Sequence, residues 1–276
     1  MISKVTLFSS QFLHMDIQLF QVDAFANQIF EGNPAAVCPL PEWLPDHLLQ
    51  KIALENNLSE TAYFVLNDKP LKIRWFTPTT EVNLCGHATL ASAHVLSKHL
   101  GFTKEIIEFN SLSGPLSVRV NKQDYTLNFP ADKLTQLSLD YPVVTHFDPL
   151  PINVLKGSTD YLLVYENEKQ IQHIQVDFGR LANFDGRGVI VTSPSRKFDF
   201  VSRSFYPQSG VNEDPATGSA HTTLAVFWSK ELGKEHLIAR QISARGGSFD
   251  LQLQGDRVMI RGGACTFLIG TCRINS

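Results

Sequence analysis

The pattern of apolar and polar positions predicts short strands interrupted by three helices. Apolar residues recur at helical spacing over residues 45–57, 86–100 and 218–232, and the last two segments stop at Gly101 and Gly233. The second and third helices are apolar on nearly every face, so we expect both to be buried. The helix at 45–57 has one apolar face and is expected to pack outside a sheet.

Between the helices, apolar and polar residues alternate in short runs, as they do in half-buried strands. The predicted strands are 17–22, 72–76, 106–110, 116–120, 125–129, 198–206, 241–244, 249–253 and 257–261. Short turns join several of them, which favours antiparallel pairing because parallel neighbours need a long crossover. Residues 130–151 have no firm periodicity and are the segment that the pattern interprets least.

The chain repeats its own pattern after about 130 residues. The matching segments, at shifts of 129 to 133, are 74–78 with 203–207, 82–83 with 211–212, 86–88 with 218–220, 97–98 with 229–230, and 113–118 with 246–251. Their constant order indicates a duplicated unit. We therefore predict an α+β fold of two pseudo-symmetric domains, each a mostly antiparallel β-sheet wrapped around a central α-helix.

The composition excludes several classes of protein. The 276 residues carry 24 Lys and Arg against 27 Asp and Glu, a formal charge of −3, which excludes a nucleic-acid-binding protein with a basic surface. No apolar run reaches the roughly 18 residues of a membrane-spanning helix. Residues 1–14 precede the first predicted strand and are expected to be an extension outside the fold.

The cysteines indicate the compartment. They form no CxxC pair, no secretory signal precedes them, and their positions are Cys38, Cys85, Cys265 and Cys272. This usage is typical of a reduced protein, so we expect a cytoplasmic location.

Two junctions between a loop and a helix, 84–87 and 213–219, occupy equivalent positions in the repeat. A helix start leaves backbone N–H groups unsatisfied, and the glycines Gly86 and Gly218 let an anion approach closely. Two such starts facing each other across a cleft would bind a carboxylate. The alternative is a pair of ordinary capped helix starts, with Asn83 or Thr217 as the cap.

Five titratable side chains lie near these junctions in the predicted fold: Asp23, Glu60, Cys85, His87 and Asp214. Glu60 stands directly before an apolar strand, where desolvation would raise its pKa toward that of a general base. Plainer interpretations stay open, because Glu60 could solvate a turn, His87 could be structural, and Cys85 could be a small buried apolar residue.

Several chemistries have no motif in this sequence. It lacks GxxxxGK[ST], GxSxG, HExxH, and GxGxxG after a strand. His87, His94 and His99 share one predicted helix, but no carboxylate or thiol completes a recognisable zinc spacing. Residues 245–247 are best explained as a turn between strands. We therefore predict neither a cofactor nor a metal.

Six segments together resemble the PhzF-like isomerase family of phenazine biosynthesis. They are QVDAF (21–25), FEGNPAAV (30–37), LSETA (58–62), FTP (76–78), CGHAT (85–89) and GVNEDPATGSAH (210–221). The resemblance runs in order through about residues 15–276 and implies a diaminopimelate epimerase-like fold with the active site between two halves. It implies an N-terminal half of residues 15–117 plus 263–276 and a C-terminal half of residues 118–262.

The resemblance also implies a function and site residues. The expected protein is a cofactor-independent isomerase, a homodimer, that moves a proton between carbons of a small carboxylate and binds neither nucleic acid nor membrane. Glu60 stands at the family's proton-transferring glutamate, with His87 and Asp214 as companions. The other implied positions are the substrate-binding residues Gly86, Gly218 and Ser219 at the helix starts and Ser59, Asp23 and Asn33 at the cleft rim.

Two alternatives remain beside this hypothesis. Epimerases of this fold use one cysteine at each helix start, whereas this chain has Cys85 at the first start and Asp214-Pro215 at the second. A two-base racemase in which Cys85 pairs with Glu60 or Asp214 is therefore the second hypothesis. The third is a non-catalytic binding protein that retains the cleft.

Overall fold

The computed structural model describes residues 14–122 and 124–275. The extension predicted at residues 1–14 lies outside these residues, except for His14, which begins the first strand. The α-helices of the described chain are α1 (Asp46–Asn56), α2 (Gly86–Lys98), α3 (Glu168–Gln172), α4 (Phe178–Leu181) and α5 (Ala220–Leu232). Short 3₁₀ helices cover Pro142–His146 and Pro207–Ser209.

The strands dominate the molecule, and nearly all of them belong to one 17-stranded sheet. Those before the middle of the chain are β1 (His14–Ala24), β2 (Asn33–Leu40), β3 (Glu60–Val65), β4 (Leu71–Phe76), β5 (Glu81–Val82), β6 (Ile106–Ser111), β7 (Gly114–Asn121), β8 (Asp124–Pro130) and β9 (Thr135–Gln136). Those after it are β10 (Phe147–Asp148), β11 (Asn153–Lys156), β12 (Asp160–Val164), β13 (Gln175–Val176), β14 (Gly188–Pro194), β15 (Phe200–Tyr206), β16 (Val211–Asp214), β17 (His236–Gln241), β18 (Gly247–Gln254) and β19 (Arg257–Asn275). The pair β10–β13 stands apart from the large sheet.

The repeat in sequence is also a repeat in strand pairing. In the first copy, β2–β3 and β4–β6 pair in parallel, while β3–β4, β6–β7 and β7–β8 are antiparallel. In the second copy, β12–β14 and β15–β17 are parallel, while β14–β15, β17–β18 and β18–β19 are antiparallel. The two repeated segments therefore have the same order of parallel and antiparallel strand pairs. The result is a β-rich mixed α/β fold with few helices.

The long strand β19 connects the two copies. Residues 257–263 pair with β8, and residues 264–275 pair with β1. The predicted boundary between residues 117 and 118 falls inside β7, which pairs with β6 and β8 along its length. Because short turns keep these three strands together, β7 and β8 stay with the first helix, where Tyr125 OH lies 3.0 Å from His94 Nδ1 on α2.

One predicted strand is wrong in position. The chain pairs over His236–Gln241 and turns immediately afterwards, whereas the alternation had indicated a strand at 241–244. Gly246 adopts a positive φ of 71°, and its N–H donates to Ser243 Oγ at 3.0 Å. These contacts close a turn that apolar alternation does not report.

The core confirms the burial expected for the helices. The long apolar helices α2 and α5 contribute to one continuous core. Helix α1 instead places Leu49 and Ile52 in a separate cluster that also contains Tyr63 of β3. Buried residues run from His87 to Leu96 in α2. Among the helices of the described residues, none is long and apolar enough to cross a membrane.

Candidate active site

The first helix start belongs to α2 and is not capped by a side chain. Cys85 is the residue before the helix, in extended conformation, and its carbonyl accepts the Thr89 N–H at 3.2 Å. The predicted cap Asn83 lies two residues too early, and its carbonyl accepts Ser113 Oγ instead. The first backbone N–H groups of α2 are therefore left for solvent or a ligand.

Glu60, Cys85 and His87 meet beside this start, and we refer to them as the acid-base cluster. Glu60 begins β3, which lies between β2 and β4 in the sheet. His87 Nε2 lies 3.2 Å from Glu60 Oε2, and Cys85 Sγ lies 3.5 Å from His87 Nδ1. The Nε2 and Oε2 atoms are close but not aligned for a hydrogen bond, so neither buried atom has a partner within the described chain.

Burial sets the protonation of this cluster. It raises the pKa of Glu60, a rise that His87 opposes and the Asp214 carboxylate reinforces. It lowers the pKa of His87, and together with the Glu60 charge it raises the pKa of the Cys85 thiol. At neutral pH the imidazole is therefore neutral and the thiol protonated, which leaves Glu60 as the group best suited to carry a proton.

The second helix start, before α5, is held by a hydrogen-bond network. The predicted cap Thr217 does not cap the helix, because its Oγ donates to Asp214 Oδ2. Asp214 Oδ1 accepts Asn33 Nδ2 at 2.9 Å, so both carboxylate oxygens are occupied. Burial raises the pKa of Asp214, while these hydrogen bonds and the charge of Arg187 oppose the rise.

Gln241, a residue that sequence reasoning missed, fixes the backbone of this start. Its Oε1 accepts the Thr217 N–H at 2.9 Å, and its Nε2 donates to the Asp214 carbonyl at 2.7 Å. Gln241 is fully buried at the end of β17. Only the strand register brings Gln241 to this helix start, so the local sequence offered no signal for its role.

Arg187 is the second missed residue, and it adds a positive charge at α5. Its guanidinium binds both oxygens of the buried Asp160, and Nη2 donates to Ser219 Oγ at 3.1 Å. It also lies over the ring of Tyr206, at 5.1 Å from the ring centroid. The side chain is 40% exposed, so it presents charge to solvent beside the helix start.

Residues of the first copy contact the second helix start directly. The ring of Phe25 lies 3.2 Å from the position that a Cβ on Gly218 would take. Asn33, on β2, donates to both Asp214 and the Ala216 carbonyl, the latter at 3.1 Å. The acid-base cluster and the second start therefore face each other, as the influence of Asp214 on Glu60 also indicates.

The residues predicted at the cleft rim have different environments. Asp23 is almost fully buried, where it accepts the Phe30 N–H at 2.9 Å and Arg245 Nη2 at 2.7 Å. Its carboxylate therefore holds the turn before β18 against the first copy. Asn33 Oδ1 is buried without a partner in the described chain, and Ser59 is half-buried directly before Glu60.

The fold brings together three kinds of metal ligand that the sequence did not reveal as a group. Glu60, Cys85 and His87 each offer one ligand atom, and these atoms lie within 4.8 Å of one another. Glu60 is 25 positions before Cys85, so no local spacing motif could reveal the group. The prediction that no zinc spacing motif surrounds His87 concerned local sequence, and the fold brings a carboxylate and a thiol to it from outside such a motif.

Comparisons with known proteins show the family and the fold of the chain. The family model PhzC-PhzF, described as phenazine biosynthesis-like protein, matches residues 22–270. The chain is 48% identical to an uncharacterised isomerase of Pseudomonas aeruginosa, covering 94% of this chain and 100% of the relative. A crystal structure of a PhzF-family phenazine biosynthesis protein from Enterococcus faecalis is 41% identical with a TM-score of 0.90, covering 94% of this chain and 99% of that one. A hydroxyproline epimerase from Agrobacterium vitis shares the fold at 10% identity and a TM-score of 0.61, covering 95% of this chain and 93% of that one.

Proposed function

The chain belongs to the PhzC-PhzF family of phenazine biosynthesis-like proteins, and we propose that it is a cofactor-independent isomerase acting on a small carboxylate. The reaction moves a proton from one carbon of the substrate to another. The observation that carries this proposal is Glu60, whose buried Oε2 atom lies 3.2 Å from a neutral imidazole and beside an uncapped helix start.

Substrate binding uses the two helix starts. The backbone N–H groups at Gly86, Gly218 and Ser219 and the positive ends of both helix dipoles attract a carboxylate. Arg187 adds its charge at Ser219 without moving, because Asp160 holds its guanidinium from the other side. The same groups stabilise the negative charge that develops when a C–H bond beside the carboxylate is broken.

Proton transfer falls to Glu60. Its carboxylate takes the proton from the acidic C–H and becomes a neutral carboxylic acid, and the C–H electron pair delocalises toward the substrate carboxylate. The neutral acid then returns the proton, on the same face, to the far carbon of a C=C bond conjugated with the carbanion, so that the double bond migrates and Glu60 is again a carboxylate. A raised pKa suits both steps, because the carboxylate is more basic and the acid form is stable in its buried site.

The companions of Glu60 have narrower roles in this proposal. His87 stays neutral and lies beside the Glu60 carboxylate, with its Nε2 atom 3.2 Å from Glu60 Oε2. Asp214 keeps both oxygens in hydrogen bonds, so it acts as an electrostatic and positioning group that raises the basicity of Glu60. Ser59 and Asn33 Oδ1 are proposed to contact the remainder of the substrate.

The racemase alternative requires a second free acid or base opposite the first. Cys85 has a raised thiol pKa, and Thr217 stands at the equivalent position of the second start. Asp214 is the other titratable group there, and its oxygens are already engaged. These observations favour one proton carrier over two.

Solvent deuterium exchange tests the proposal. The protein is incubated in D₂O with small carboxylic acids that carry an acidic C–H, including unsaturated, hydroxy and amino acids, and mass spectrometry detects incorporation. We expect incorporation with double-bond migration, lost in Glu60→Gln and retained in the control Glu105→Gln, which alters an exposed residue. Inversion of a chiral carbon that Cys85→Ala abolishes would instead establish the racemase.

The binding-protein alternative predicts a different pattern. Thermal shift by a carboxylate, equal in wild type and Glu60→Gln, without deuterium incorporation from any compound would overturn the isomerase. Binding retained in Glu60→Gln together with lost incorporation would separate the anion site from the proton carrier.

A further inference from the structure

The acid-base cluster combines three kinds of metal ligand in one small space. One carboxylate oxygen of Glu60, the sulfur of Cys85 and a ring nitrogen of His87 all lie within 4.8 Å of one another. Thiolate and imidazole together are typical ligands of Zn²⁺, and a carboxylate completes many such sites. The cluster therefore differs from a group of acidic residues, which would suit only harder cations.

Two separations within the cluster are close to those between ligands of one zinc ion, and they involve opposite nitrogens of the His87 ring. With metal bonds of about 2.3 Å to sulfur and about 2.0 Å to nitrogen or oxygen, tetrahedral ligand atoms lie roughly 3.3–3.6 Å apart. Cys85 Sγ and His87 Nδ1 are 3.5 Å apart, and His87 Nε2 and Glu60 Oε2 are 3.2 Å apart. Because one ring nitrogen binds one ion, a single ion requires Cys85 or Glu60 to rotate toward the nitrogen that it does not yet face, across a separation of at most 4.8 Å.

The unpartnered atoms point independently to a ligand. Glu60 Oε2 and His87 Nε2 are buried and have no hydrogen-bond partner within the described chain, although they approach each other closely. Buried polar atoms are rarely left in this state unless water, an ion or a substrate satisfies them. The Asp214 carboxylate also acts on both Glu60 and Cys85, which adds to the attraction for a cation.

We propose that Glu60, Cys85 and His87 bind a thiophilic divalent cation of the Zn²⁺ class, and that this cation reversibly inhibits the enzyme. Binding displaces the thiol proton to solvent and forms a sulfur–metal bond, with no change of oxidation state. The fourth position stays open to water or to the substrate carboxylate. Inhibition follows because the lone pair with which Glu60 would take a proton then coordinates the metal.

Cobalt substitution tests the site without any enzyme assay. The chelator-treated protein is titrated with Co²⁺, and we expect a sulfur-to-cobalt charge-transfer band in the near ultraviolet and visible bands of tetrahedral intensity. The bands should saturate at one equivalent and disappear when Zn²⁺ is added. Absence of the charge-transfer band in the wild type would overturn the proposal.

Variants assign the band to this cluster. Cys85→Ser should abolish the charge-transfer band, whereas Cys265→Ser, a half-buried thiol elsewhere, should leave it unchanged. A band that survives in Cys85→Ser would overturn the assignment. If Cys85→Ser does not fold, His87→Gln serves instead and should weaken Co²⁺ binding at least about tenfold.

The inhibitory part of the proposal rests on the proposed isomerase activity, and its test keeps the two apart. Deuterium exchange by the wild type should fall when Zn²⁺ is added and recover when a chelator removes it. The inhibition would be overturned if deuterium exchange were unchanged at a Zn²⁺ concentration that displaces all bound Co²⁺. Co²⁺ binding without exchange on any substrate would overturn the isomerase and leave the metal site standing.

Discussion

The two helix starts have matching places in the repeat and opposite chemistry. Cys85 and Thr217 occupy the same position, one residue before Gly86 and Gly218. At the first start, buried groups lie close together with atoms left unpartnered. At the second, Thr217 and the backbone around it are held by Asp214 and Gln241. The first start therefore has buried atoms without hydrogen-bond partners in the described chain, whereas Thr217 and the backbone of the second start are fixed by hydrogen bonds.

The neighbouring strands differ in the same sense. Thr61 pairs with Phe76 in the first copy and Val189 pairs with Phe205 in the second, so Glu60 corresponds to Gly188. A Cβ on Gly188 would lie 2.2 Å from the Tyr206 ring, and no acidic side chain fits there. The proposed proton carrier therefore has a counterpart position in the second copy that holds no acidic side chain, which favours the proposal of chemistry on one face of the substrate.

The largest predicted effect contrasts the two carboxylates. Glu60→Gln removes the proposed proton carrier, so we expect kcat for deuterium exchange to fall about 10³-fold or more, within the usual range for a general acid-base group. Asp214→Asn keeps the shape of the side chain and one accepting oxygen for Asn33, and the Thr217 hydroxyl can turn to accept from the new amide N–H. Its kcat should fall only about tenfold. Equal losses in the two variants would show that both sides of the cleft carry protons.

The buried histidines give the next effect, on stability. Burial lowers the pKa of both His94 on α2 and His221 on α5 to about 4, whereas an unfolded histidine titrates near 6.5. Between those values the unfolded chain binds protons that the folded chain does not, so the free energy of unfolding falls as the pH falls. Each histidine contributes about 3 kcal/mol of this loss at pH 4.

Urea unfolding at several pH values between 7.5 and 4.5 measures this loss. The raised pKa values of Glu60 and Asp214 act in the opposite direction, because those groups favour the folded state as it takes up protons. The comparison is therefore made between wild type and the variants His94→Gln and His221→Gln. Each variant should show a flatter decline toward acid, and a slope identical to wild type would contradict the assignment.

A smaller effect tests the fixed network at the second start. Gln241→Leu leaves the Thr217 N–H and the Asp214 carbonyl without partners, so we expect a loss of about 2–3 kcal/mol in the free energy of unfolding. The matching position in the first copy is Ser111, whose Oγ bonds only within its own turn. Ser111→Ala should cost less than about 1 kcal/mol, measured by the same denaturant titration.

Local sequence patterns predicted the residues of the first helix start better than the contacts of the second. Cys85 and His87 stand at the start of an apolar helix, and Glu60 stands directly before an apolar strand, so periodicity alone marked them as candidates. Asn33 lies 181 positions from Asp214, and Gln241 lies 24 positions from Thr217. Contacts of that kind depend on strand register, which a single sequence does not encode locally.

The same limit explains the errors in the fold. The helices ran within two residues of their predicted bounds because apolar periodicity and a following glycine report on local geometry. The strand predicted at 241–244 was displaced because a turn there is set by Ser243 and Gly246. The strand predicted at 257–261 continues to Asn275, since β1 offers it a partner from the opposite end of the chain.

The smallest predicted effect compares the two glycines themselves. A Cβ on Gly86 would meet the Phe129 ring at 3.5 Å, an ordinary contact, whereas a Cβ on Gly218 would meet the Phe25 ring at 3.2 Å. Phe25 is held in the left-handed region at a φ of 58°, and its ring packs on Phe249, so it has little room to retreat. We expect Gly218→Ala to unfold at lower denaturant, with a loss of about 1 kcal/mol relative to Gly86→Ala. If the two variants are equally stable, Phe25 yields easily, and the second start is not the rigid wall of the cleft.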